Sequence, residues 1–124
     1  DVTYSSQLDA VGKQWFGAQW GGVHSRSRLP VAVSPERRGY VVNTHDGQGR
    51  HWCACLDDGE QRYFSDPLGQ VGTQQRAALA ALHPHALWSQ DDPEMAVDAS
   101  ICGPAALAAV AVGLRHGPSE FMQI

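Results

Sequence analysis

Thirteen consecutive residues, "CGPAALAAVAVGL" at 102–114, are almost wholly apolar, and few architectures accommodate such a run. It is too short to span a bilayer, which takes about 20 apolar residues. A helix that is apolar around its whole circumference belongs in an interior. Pro104 has no N–H and is tolerated only in a helix's first turn, so the helix must start within a residue or two of Cys102. Arg115 and His116 follow the run, where the negative end of the helix dipole favours cations. The remaining polar and alternating segments must then build a cover, and they predict an α+β domain: a small antiparallel sheet packed on a central buried helix. With 124 residues the chain makes one such domain, spanning 1–124.

The cover is legible around "GRHWCACLDDGEQRYFSDPLGQ", residues 49–70. Asp58-Gly59 is a strong hairpin signal, because a two-residue type I′ turn needs positive φ at both central positions. Taking that turn as the hinge pairs residue 57 with 60 and 55 with 62, and sets His51 opposite Asp66 on one face. Cross-strand neighbours have Cβ atoms about 4.5–5.5 Å apart, within reach of an imidazole–carboxylate hydrogen bond. "GYVVNT" at 39–44 supplies another strand, so 39–44, 51–56 and 61–66 predict an antiparallel meander. Residues 5–15 and 73–83 predict helices, the latter starting at Thr73 and ended by Pro84. The stretch 16–30, rich in glycine and aromatic residues, and the stretch 88–100 predict loops.

A His-Asp pair does chemistry when a nucleophile stands on the other side of the imidazole. Cys102 is the candidate, since the N–H groups and positive dipole end of a helix N-terminus favour a thiolate. The same N–H groups can hold an oxyanion, Asp98 or Ser100 can cap the helix, and Gly103 lets a substrate backbone approach the sulfur.

The order His51-Trp52, Asp66-Pro67-Leu68-Gly69, Cys102-Gly103 resembles the adenovirus-endopeptidase and Ulp-type cysteine proteases, in which histidine precedes the acid and the acid precedes cysteine. "YVVNTHDGQGRHW" is similar to the segment leading into that family's catalytic His-Trp, "YFSDPLG" to its acid-bearing strand end, and "FGAQWGGVHSRSRLP" to its substrate-side N-terminal loop. The resemblance runs over about residues 8–115. It implies a papain-related layout and a thiol protease, with Cys102 as nucleophile, His51 as base and Asp66 orienting His51. Residues 16–30 would form a wall of the substrate groove, with Trp20, Trp52 and Gly103 lining it. It also implies processing of a viral polyprotein or precursor, with a peptide activator as one partner such an enzyme takes. A protease for ubiquitin-like tails, or a non-catalytic interaction module that kept the fold, are the rival readings. The family places a glutamine six or seven residues before the cysteine to help hold the oxyanion, whereas Met95 and Ala96 stand there in this chain. Gln90 is the candidate replacement, beside the backbone of Cys102 itself.

Composition narrows the partners. Nine Lys and Arg against 13 Asp and Glu, a net charge of −4, argue against a general nucleic-acid binder. No segment is long and apolar enough for a membrane helix, and no basic start leads into an apolar run as in a signal peptide. Three cysteines, with Cys53 and Cys55 alternating on one strand, suggest a reducing, intracellular compartment. His51, Cys53, Cys55 and Cys102 are also metal-ligating types, but the usual ligand spacings are missing, so the expectation is a protein or peptide substrate and no required cofactor.

Overall fold

The computed structural model describes residues 5–45, 51–67, 73–89 and 102–124. Helix α1 (Ser5–Phe16) leads into strands β1 (Trp20–Ser25), β2 (Arg38–Asn43), β3 (Trp52–Asp58) and β4 (Gln61–Ser65). Helix α2 (Thr73–Leu82), strand β5 (Leu87–Trp88), helix α3 (Cys102–His116) and a short helix α4 (Pro118–Phe121) follow. The strands form one sheet in the order β1-β2-β3-β4-β5. The α+β class stands, but the sheet is mixed: β2, β3 and β4 form the antiparallel meander, and β1 and β5 join its edges in parallel.

β1 lies within 16–30, expected to be a loop, and β5 ends at Trp88, where the second expected loop begins. Within 16–30, Gly21 and Gly22 read as loop punctuation, but each has a tertiary reason. A Cβ on Gly21 would sit 2.2 Å from the Tyr40 ring, and Gly22 has φ +103 where the β1–β2 register slips. They let a strand bulge and run close against its neighbour. β5 is two residues long, too short for any periodicity. Its Trp88 stacks on Phe64 at 4.8 Å, with the Arg76 guanidinium 4.6 Å from its ring centre.

The sheet is covered on both faces. Trp52, Ala54 and Leu56 of β3 pack with Val41 against Ala106, Leu107, Val110 and Leu114 of α3, joined by Leu8 of α1 and Phe121 of α4. On the other face Tyr40, Val42, Cys53, Cys55 and Phe64 pack with Leu79 of α2 and Leu29. Helix α3 is therefore a covering layer and not an enclosed rod, because Pro104 and Ala108 on its outer side are exposed. Alanine presents little apolar surface, which is why an almost wholly apolar sequence can still face water along one stripe.

The hairpin register differs from the expected one. Asp58 pairs with Gln61 and Asp57 with Arg62, so Gly59 and Glu60 are the turn. Of these two only Gly59 has positive φ, the pattern of a II′ turn, and no described residue other than a glycine has one. The buried charges explain the choice. Asp57 and Arg62 lie opposite each other and make two bonds, Nε to Oδ1 at 2.7 Å and Nη2 to Oδ2 at 2.8 Å. The Tyr40 hydroxyl and the Ser34 N–H also donate to Asp57. Arg62 in turn donates to the Pro30 and Ala32 carbonyls and to His83 Nδ1. The expected register would have left the two diagonal to each other instead of directly opposite.

Candidate active site

The shift is two residues, and side chains alternate with period two, so each residue keeps its face. Ala54 pairs with Ser65, and continuing that ladder sets Asp66 beside Cys53 with His51 as its diagonal neighbour. Diagonal neighbours are still within reach of long or aromatic side chains. His51 Nε2 donates to Asp66 Oδ1 at 3.1 Å. The expected contact forms, through a different pairing from the one that suggested it.

His51 is held from behind. The Thr44 backbone N–H donates to the His51 carbonyl at 2.9 Å, and the Thr44 hydroxyl reaches the same oxygen at 3.3 Å. Arg26 Nη1 donates to the Thr44 carbonyl at 3.1 Å, tying the end of β1 to this corner. Neither Thr44 nor Arg26 stood out in the sequence; their only signal was a polar residue at each strand end.

Helix α3 begins at Cys102 and brings the thiol to the same end of the sheet. The His51 imidazole and the backbone N–H groups of Trp52 and Gly103 stand near enough to the thiol to favour its charged form. With Nε2 given to Asp66, Nδ1 is the ring nitrogen left for the sulfur. Burial raises the thiol's pKa, but these N–H groups and the imidazolium charge outweigh it and hold Cys102 below its ordinary value. Burial likewise pulls the His51 imidazole down, and Asp66 and Cys102 outweigh it, raising His51 to about 9. His51, Asp66 and Cys102 are 6%, 3% and 3% exposed, so their mutual attraction is little screened by water.

The other cysteines contrast with this. Cys53 and Cys55 lie in the core beneath, and burial pushes both thiols far above their ordinary range. Among the described residues no three His, Cys, Asp or Glu side chains are arranged to hold a metal ion, and no helix is long and apolar enough to cross a membrane.

The proposed groove residues divide. Trp52 and Gly103 are at the site, but Trp52 is a core residue and both meet the sulfur through backbone N–H. Trp20 pairs with Gly39, toward the hairpin-turn end of the sheet and away from Cys102. Its indole is fixed there by Asp9 Oδ1 at 2.8 Å and by the Phe16 ring. It is therefore not brought to His51, Asp66 and Cys102: the resemblance implied a groove wall, but α1 packs over it. Gln90, Met95, Ala96, Asp98, Ser100, Leu68 and Gly69 lie outside the described residues. No family model matches the chain, and no curated protein shows significant similarity to it.

Proposed function

We propose that the protein is a cysteine endopeptidase that hydrolyses peptide bonds through Cys102, His51 and Asp66. The observation that carries this reading is the contrast among three thiols. The one at a helix start, beside a histidine that a buried carboxylate holds, is shifted toward thiolate, while the two in the core are shifted away. The lowered Cys102 thiol and the raised His51 imidazole favour a thiolate–imidazolium pair. The sulfur attacks the substrate carbonyl carbon, and the negative oxygen of the tetrahedral adduct is met by the Cys102 backbone N–H. The C–N bond breaks as His51 gives its proton to the leaving amine, leaving a thioester. Neutral His51 then takes a proton from water, whose oxygen attacks the thioester carbonyl, and the acid product departs as thiolate and imidazolium re-form. Asp66 stabilises the imidazolium and keeps the neutral ring's proton on Nε2.

The substrate class proposed is a precursor or polyprotein segment, processed in a reducing compartment, in keeping with three free thiols. The test is iodoacetamide at pH 6 followed by mass spectrometry of the intact and digested chain. Labelling of Cys102 ahead of Cys53 and Cys55 supports the reading, and equal or absent labelling rejects it in favour of a non-catalytic module. Cleavage of extended peptides against ubiquitin-like C-terminal tails then separates the two protease readings.

A further inference from the structure

Helix α3 carries a second feature at its other end. A pocket of about 440 Å³ lies between the end of α1 and the last turns of α3, lined by Trp15, Phe16, Gln19, Ala111, Leu114 and Arg115. At 1.5 Å per residue, Arg115 is about 20 Å along the helix from Cys102, so an occupant would not touch the triad. The volume is within the range of about 300–1,000 Å³ usual for ligand sites.

The lining has a definite chemistry. Trp15 is 60% exposed, the most exposed aromatic among the described residues, and stands edge-on to Phe16 at 6.0 Å. The Trp15 indole N–H, the Gln19 amide and the Arg115 guanidinium are hydrogen-bond donors in a lining more polar than apolar, with Phe16, Ala111 and Leu114 as its other residues. No carboxylate lines the pocket, and among the described residues Arg115 has no ion-pair partner. Nearby, Arg37 brings a further cation to the Leu114 carbonyl, its own charge met by Asp58 at 3.0 Å. The indole and guanidinium are the side chains most often found as anchors in protein interfaces.

We propose that this pocket docks a segment of another protein that presents an acidic side chain next to an apolar one. The carboxylate pairs with the planar guanidinium of Arg115, which suits bidentate recognition. The neighbouring apolar side chain lies against Trp15, Phe16 and Leu114. The pairing is by charge complementarity, and it stands whether or not Cys102 is a nucleophile.

The experiment is isothermal titration calorimetry of the full chain at low salt against acetylated, amidated eight-residue peptides. Four carry Asp-Glu followed by Leu, Ile, Phe or Trp between glycine-serine flanks, and four controls carry Asn-Gln in place of the acids. At least one acidic peptide should bind with a Kd below 1 mM, and its amide control at least tenfold more weakly. Arg115→Glu and Trp15→Ala, both exposed and remote from the triad, should each weaken binding at least tenfold with an unchanged melting temperature. Binding should be intact in Cys102→Ala, which separates this site from the catalytic reading. No acidic peptide binding below 1 mM, equal affinity for acidic and amide peptides, or affinity unmoved by both variants would overturn the proposal.

Discussion

Replacing Asp66 by Asn tests the site's electrostatics at their source. The two side chains have nearly the same shape, and an amide oxygen can still accept the proton on His51 Nε2, so the packing of this buried corner persists while the charge is lost. Burial by itself would pull His51 below 6.5, and the bond to Asp66 is the largest contribution in the other direction, ahead of Cys102. Raising an imidazole from 6.5 to about 9 corresponds to about 3 kcal/mol of preference for the imidazolium. With Asp66 neutral the upward pull falls to Cys102 alone, and we expect His51 to titrate lower by ~1 to 2 pH units, a change of ~1.4 to 3 kcal/mol. The consequence for Cys102 has the same sign, because the imidazolium that stabilises the thiolate is present over a narrower range. The assay is NMR titration of the His51 ring protons, paired with the rate of iodoacetamide alkylation against pH. In the intact protein alkylation should be measurable at pH 6. In Asp66→Asn the pH above which alkylation loses its imidazolium-assisted part should move down by the same ~1 to 2 units, with little change at pH 6, and kcat/KM for a peptide substrate should fall by about 10² to 10⁴, the range for loss of a working acid–base partner. If His51 titrates below 7 in the intact protein, or at an unchanged pH in Asp66→Asn, the account of the site is wrong.

Other consequences are as direct. Cys102→Ala should abolish hydrolysis and shift the melting temperature little, whereas Cys53→Ala and Cys55→Ala should keep turnover, measured on the same peptide; loss of turnover by a folded Cys53 or Cys55 variant would point back to a metal site. The pH profile of kcat/KM should fall on the alkaline side as His51 loses its proton near 9, and on the acid side only below the ordinary thiol range, because Cys102 is shifted down; an alkaline limb near 6.5 would contradict the raised imidazole. Asp57→Ala should cost about 3 to 5 kcal/mol in urea unfolding, since it leaves the buried Arg62 charge without its carboxylate, and a loss under 1 kcal/mol would refute that role. Gln90→Ala should lower kcat by about 10² to 10³ if its side chain holds the oxyanion; a rate within about threefold of the parent would leave the Cys102 backbone N–H as the main donor.

The sequence by itself determined what local chemistry determines. Pro104 pinned the start of α3 and so put Cys102 at a helix N-terminus, Thr73 and Pro84 bracketed α2, and the Asp58-Gly59 turn signal marked two strands facing each other. The pairing of His51 with Asp66 was legible although the hinge was not, because a two-residue slip leaves every side chain on its face. Tertiary structure decided the rest, through interactions between residues far apart in the chain. The register was set by the buried Asp57–Arg62 pair and its bonds to the 30–34 segment, which no local pattern reports. β1 became a strand because Gly21 must pass the Tyr40 ring, and β5 because Trp88 stacks on Phe64. Trp20, a groove residue by the family resemblance, was drawn to the far end of its strand by Asp9 and Phe16 on α1. The protonation of the site also belongs to this level: imidazole, carboxylate and thiol come from three separate stretches of chain, and only their shared burial couples them.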